Sequence, residues 1–147
     1  MVYLIHRYKG ATILKKDIYV TGAVIVKDGE IFCAQRNENG SLPLLWEFPG
    51  GKIEDQETKE ESLIREIKEE LDCTIEVIEE IEHTIYEYSF GIVHLTTFHC
   101  KLLEGQPKLL EHQDSKWLKP DELHTLKWAP ADIPTIEKVI NNARRYL

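Results

Sequence analysis

From Ile18 to Val26 the chain is mostly apolar and rich in Val, Ile and Tyr, and Ile31 to Ala34 resume that style after Lys27-Asp28-Gly29-Glu30. Asp-Gly between two β-prone runs predicts a hairpin. Asn37 to Pro43 carries Asn, Gly, Ser and Pro without periodicity and reads as a surface loop. It leads into a short strand, Leu44 to Phe48, that ends at Pro49-Gly50-Gly51. The one long helical pattern runs from about Thr58 to Leu71, where Leu63, Ile64, Ile67 and Leu71 recur at helix spacing. Thr58 followed by Glu61 fits a capping box at its start. Thr74 to Tyr88 and Ile92 to Leu103, dominated by β-branched and aromatic residues, predict two longer strands joined around Ser89-Phe90-Gly91. After a polar stretch, Pro134 to Tyr146 predicts a closing helix. Residues 1 to 17 show no clear period and are read as an N-terminal extension, a small extra hairpin about Lys9-Gly10.

At 147 residues the chain is long enough for one core and too short for two comfortable ones, so residues 1 to 147 are expected to form a single domain. A formal net charge of −8 argues against sequence-independent binding of nucleic acid, which relies on many Lys and Arg contacts to phosphates. A polyanionic substrate would need a metal. Cys33, Cys73 and Cys100 are too few and too scattered for a disulfide framework, and no CxxC pair points to zinc. The apolar runs are strand-length, so no membrane span is expected, and without a basic-then-apolar leader the cytoplasm is the default location.

The chemistry concentrates between Gly51 and Glu70. At about 100° per residue, Glu66, Glu69 and Glu70 project within roughly 100° of one another, beside the apolar arc. Three carboxylates so close repel unless a cation sits among them, and hard oxygen donors suit Mg²⁺, or Mn²⁺. The plainer alternative is a solvated acidic helix with ordinary i,i+3 and i,i+4 pairs to Lys59, Arg65 and Lys68. The preceding Pro49-Gly50-Gly51 shifts the balance, because two glycines let the backbone approach a ligand closely.

The spacing of Gly51, five residues, Glu57, seven residues, then Arg65-Glu66-Ile67-Lys68-Glu69-Glu70 resembles the Nudix box. It departs from that pattern at Asp72, where Gly is usual, and at Cys73, where a bulky aliphatic residue is usual. Leu45 to Lys52 and Trp128 to Pro134 resemble the flanks of the MutT-type branch, which hydrolyses (d)NTPs, so the similarity runs over roughly residues 18 to 147. The resemblance implies an α+β Nudix fold, an α/β/α sandwich with a mixed sheet. It implies that Glu66, Glu69, Glu70 and the Gly51 carbonyl hold Mg²⁺, with Glu111 as a further metal-linked acid. Arg65 would orient the carboxylates and Glu57 support the loop. Glu66 would be the general base, with Glu111 or Glu57 as substitutes.

On the substrate side, Arg36 matches a basic position near the nucleotide or is a solvated strand end, and Phe48 and Trp46 lie near the base or in the core. Asp132 either reads the nucleobase or caps the closing helix. If it reads the base as an ionised carboxylate, it suits the adjacent N–H donors of guanine or 8-oxoguanine and repels N3 of cytosine. The six histidines, scattered singly, suggest no site.

The resemblance thus implies a nucleoside triphosphate pyrophosphohydrolase that cleanses the nucleotide pool of species such as 8-oxo-dGTP, a role in DNA repair. CTP hydrolysis is the alternative within the enzyme class, and a non-catalytic nucleotide-binding module the alternative outside it. The intact box carboxylates favour the enzyme. The expected partner is the nucleotide alone, with the chain a monomer or a homodimer.

Overall fold

In a computed structural model, the structure describes the backbone of residues 5–8 and 11–14 and all of residues 15–147. Strands β1 (Ile5–Tyr8) and β2 (Ala11–Leu14) pair antiparallel as a separate two-stranded ribbon. The main sheet follows: β3 (Asp17–Lys27), β4 (Glu30–Gln35), β5 (Trp46–Glu47), β6 (Gly50–Lys52), β7 (Thr74–Tyr88), β8 (Gly91–Glu104) and β9 (Asp114–Leu118). Its order is β5-β4-β3-β8-β7, with β6 on β3 and β9 on β4. It is mixed, because β3 and β8 run parallel while the other pairs are antiparallel.

The β3–β4 hairpin forms around Asp28 (φ 51°) and Gly29 (φ 77°), both left-handed as a tight hairpin turn requires. The two strands pair only at Val26 with Ile31 and Lys27 with Glu30. Beyond the turn they splay. The early part of β3 takes β6 as its partner, while β4 turns to β9 and β5. The gap so opened is the mouth of the cleft described below.

Period-two alternation sorts β3 between two apolar layers. Ala23 and Ile25 join Phe98 and Cys100 against Leu63, Ile67 and Leu71 of helix α1 (Lys59–Leu71). Val24 faces the other way, with Ile31 and Cys33, against Ile136 and Val139 of helix α2 (Ile133–Asn141). The result is the α/β/α sandwich with a mixed sheet. Ile64, expected in the buried stripe of α1, is exposed, and Ser62 is buried instead, donating to the Lys52 carbonyl at 3.3 Å.

Thr58 caps α1 as a full capping box: its Oγ1 accepts from Glu61 N at 3.0 Å, and Glu61 Oε1 accepts from Thr58 N at 2.9 Å. Asp72 ends the helix in the left-handed region, φ 50° and ψ 44°, where glycine would be unstrained. Lys68 and Lys108 hold its carboxylate at 3.2 and 3.5 Å, and those contacts, Lys68 first, lower its pKa. The closing helix is broken: α2 stops at Asn142, whose φ of −129° is not helical, and a last turn, α3 (Ala143–Tyr146), follows. Strand β9 lies in what reads as a polar stretch, because among its residues Trp117 packs on Phe32, ring centroids 5.2 Å apart, while Asp114 and Lys116 stay exposed.

Candidate active site

Strand alternation through Trp46-Glu47-Phe48 sends the two aromatics toward α2 and the carboxylate the opposite way. Trp46 is buried in the core, where it does not line the cleft. Phe48 does both: it packs on Trp128 at 4.9 Å between ring centroids, and it lines the cleft. The cleft holds about 770 Å³, a volume suited to a nucleotide-sized ligand. Its polar end gathers Glu47, Gly51, Lys52, Glu70, Glu111 and His112; its apolar end includes Leu42, Tyr88, Phe90 and Leu95.

The carboxylates of α1 are unequal. Glu66 and Glu70, one turn apart, keep only 16% and 9% of their side chains exposed, against 57% for Glu69. Arg65 ties the outer members together. Its Nε and Nη2 donate to Glu57 at 2.6 and 2.9 Å, and its Nη1 to Glu66 at 2.9 Å and Glu69 at 3.3 Å. Nη2 also reaches the Lys52 carbonyl at 3.0 Å, fastening the helix to β6. Glu57 is consequently held below the usual carboxylate range, mainly by the Arg65 hydrogen bonds and then by the Glu54 amide.

Glu70 behaves oppositely. Burial first, then the negative charges of Glu47 and Glu66, a hydrogen bond with Glu66 and the charge of Glu111 push its pKa up to about 9. Gly51 lies against Glu66, since a Cβ there would come within 2.7 Å of Glu66 Oε1. Among the described residues no three His, Cys, Asp or Glu side chains are already gathered into a metal cage. The donor chemistry nevertheless fits a hard divalent ion. Glu66 and Glu70 are held together at the price of protonation, and a dication would relieve the same repulsion with oxygen ligands it prefers.

Glu111 is exposed at the cleft edge, with its main-chain carbonyl accepting from Asn37. Its loop is tied to the end of α1, because Lys108 N and Leu110 N donate to the carbonyls of Leu71 and Glu70 at 2.8 and 3.2 Å. Arg36 lines the cleft, yet its guanidinium is engaged: Nη1 donates to Glu47 at 2.8 Å, and Nε and Nη2 to Ser41 at 3.0 and 3.2 Å. It is therefore a clamp on Glu47 and no solvated strand end.

Asp132 precedes α2 but makes no capping hydrogen bond. It is 5% exposed, and its Oδ1 accepts from Phe48 N at 3.1 Å at the floor of the cleft. Burial, followed by the charge of Glu47, raises its pKa well above the usual carboxylate range. Burial thus works against the ionised carboxylate considered from the sequence, and the one backbone donor, Phe48 N, does not offset it. Beside it the Tyr88 hydroxyl accepts from Ala131 N at 2.8 Å.

Two members of this constellation escape sequence reading. Strand alternation is the one signal that could have found Glu47. His112 carries no pattern at all, and it is a cleft residue that the expectation of scattered, siteless histidines misses.

The chain is similar to known proteins of one family. A family model described as NUDIX domain matches residues 20–138. A CTP pyrophosphohydrolase of Escherichia coli is 39% identical over 122 residues, covering 83% of this chain and 90% of that protein. An 8-oxo-dGTP diphosphatase of the same organism is 31% identical over 86% of this chain and 98% of its own length. Among solved structures, the MutT protein of a methicillin-resistant Staphylococcus aureus, described as a Nudix hydrolase, superposes with a TM-score of 0.72 at 52% identity, covering 86% of this chain and 98% of that one.

Proposed function

We propose, for a chain that belongs to the NUDIX domain family and is a Nudix hydrolase, that it cleaves a nucleoside triphosphate to the monophosphate and pyrophosphate. Glu66 and Glu70, with Glu69, the Gly51 carbonyl and Glu111 at the rim, would hold Mg²⁺. Bound there, the ion would neutralise the triphosphate and lower the pKa of a water. Arg65 orients Glu66 and Glu69, and Glu57 braces Arg65. With both oxygens of Glu57 occupied and its pKa depressed, Glu66 is the better base for the attacking water. Attack falls on the β-phosphorus. In H₂¹⁸O the label is expected in pyrophosphate; label in the monophosphate, or release of orthophosphate, would count against the mechanism.

For the base, the carrying observation is the buried Asp132 at the cleft floor. A neutral carboxyl offers one donor and one acceptor, which complements N3 and N4–H₂ of cytosine. We therefore read the substrate as a cytosine nucleoside triphosphate such as CTP. The same pair also matches O6 and N1–H of a guanine ring, and this keeps 8-oxo-dGTP as the second reading. The pH dependence separates them. Below its raised pKa Asp132 is neutral and accepts cytosine; as pH rises through that pKa, ionisation places a lone pair against N3. An ionised carboxylate still accepts the N1–H and N2–H₂ donors of guanine.

The ratio of kcat/KM for CTP to that for 8-oxo-dGTP should fall at alkaline pH. Asp132→Asn, which keeps one donor and one acceptor, should retain CTP turnover within about threefold and lose that fall. Asp132→Leu should cost roughly 1–3 kcal/mol of base discrimination. If all substrates change by one factor in both variants, Asp132 does not contact the base.

A further inference from the structure

His112 lines the polar end of the cleft and has no part in the mechanism above. It is 5% exposed in its side chain, and its Nε2 lies 2.9 Å from Glu47 Oε2. The other oxygen of Glu47 accepts from Arg36 at 2.8 Å, so the carboxylate is clamped from one side and receives His112 on the other. A carboxylate accepts, so Nε2 carries the hydrogen toward Glu47, and Nδ1 is the nitrogen left over. That Nδ1 is buried and has no hydrogen-bond partner. It stands 3.8 Å from Glu70 Oε2.

A buried, partnerless nitrogen facing a carboxylate is a costly arrangement for a merely structural histidine. It is the usual arrangement for one that binds a metal, where one ring nitrogen donates to a carboxylate and the other coordinates. Two ligands of one octahedral dication stand roughly 3 Å apart, within a small side-chain adjustment of the separation seen here.

We propose that His112 Nδ1 is a nitrogen ligand of the divalent ion, next to Glu70, with Glu47 and Arg36 fixing the ring. This rests on the reading of Glu66 and Glu70 as metal-holding residues, and it gives the site a mixed oxygen and nitrogen character. Imidazole suits Mn²⁺ better than Mg²⁺, which prefers an all-oxygen shell. The site therefore discriminates between these ions through His112.

The test uses Mn²⁺ and the full chain without nucleotide. Pulsed EPR of the Mn²⁺-loaded protein should show ¹⁴N coupling. His112→Gln, whose amide nitrogen can replace Nε2 against Glu47 but offers no counterpart of Nδ1, should lose that coupling. Its Mn²⁺ Kd should weaken roughly 10- to 100-fold by calorimetry, with Mg²⁺ affinity changed by less than about threefold. If His112→Gln fails to fold, as judged by near-UV circular dichroism, His112→Phe, which keeps a ring and has no nitrogen, is measured in its place. Tight Mn²⁺ binding without ¹⁴N coupling in the unaltered protein overturns the role of His112 and leaves the carboxylate site standing. The absence of Mn²⁺ binding in the unaltered protein overturns both.

Discussion

Glu70→Gln should lower turnover by roughly two orders of magnitude or more while leaving the fold intact and flattening the dependence of stability on pH. The two effects share one cause. In the fold, burial and the neighbouring carboxylates push the Glu70 pKa up to about 9, whereas in the unfolded chain it returns to roughly 4.3. Between those values the folded chain holds a proton that the unfolded chain has released. Stability from this group is therefore fully present below the unfolded pKa and declines as pH rises toward about 9.

Gln cannot titrate, so thermal unfolding in EDTA from pH 5 to 9 should lose that decline. Metal must displace the same proton, so Mg²⁺ activation should strengthen with pH in the unaltered enzyme and vanish in EDTA. Glu69→Gln gives the control. That side chain is largely exposed and bonded to Arg65 at 3.3 Å, so turnover should fall without any change in the stability profile. Near-normal turnover in Glu70→Gln would sink the metal assignment.

Gly50→Ala should be far more damaging to the fold than Gly51→Ala. A Cβ at Gly50 would overlap the Thr21 carbonyl, standing 2.8 Å from its carbon and 3.0 Å from Gly22 Cα. All of these are backbone atoms of the β3–β6 pair and cannot step aside singly. Overpacking of this kind costs about 3 kcal/mol or more, and the chain should melt much earlier or accumulate unfolded. Gly51→Ala meets only the Glu66 carboxylate, a side chain that can swing away. It should fold with a near-normal melting temperature and lose turnover. Equal melting temperatures for the two variants would show that β6 is not held as described.

The helix and its caps were readable because each rests on local chemistry: the apolar spacing from Leu63 to Leu71, the Thr58–Glu61 box, and the left-handed Asp72 where the pattern wants glycine. The long strands β7 and β8 were equally plain from their composition. What escaped depends on contacts between segments distant in sequence. Strand β9 exists because β4, parted from β3, needs a partner, and nothing within Asp114 to Leu118 announces it. The unequal burial of Glu66, Glu69 and Glu70 follows from which of them meets β6 and the 110–112 loop, a distinction that helical phase alone does not make. The raised pKa of Asp132 follows from its burial, which no adjacent residue signals. His112 becomes meaningful only when Glu47 and Glu70, from a strand and a helix, arrive on either side of it.

The splaying of β3 and β4 also bears on how the cleft responds to its ligand. Because each strand finds a new hydrogen-bonded partner as the two separate, the strands that line the cleft are held by backbone ladders without help from a ligand. Binding then freezes few main-chain torsions, and the entropy of association falls mainly on the nucleotide and on the side chains that meet it. Differences in substrate choice between this chain and others of its fold should accordingly reside in a handful of side chains on a common, stiff frame.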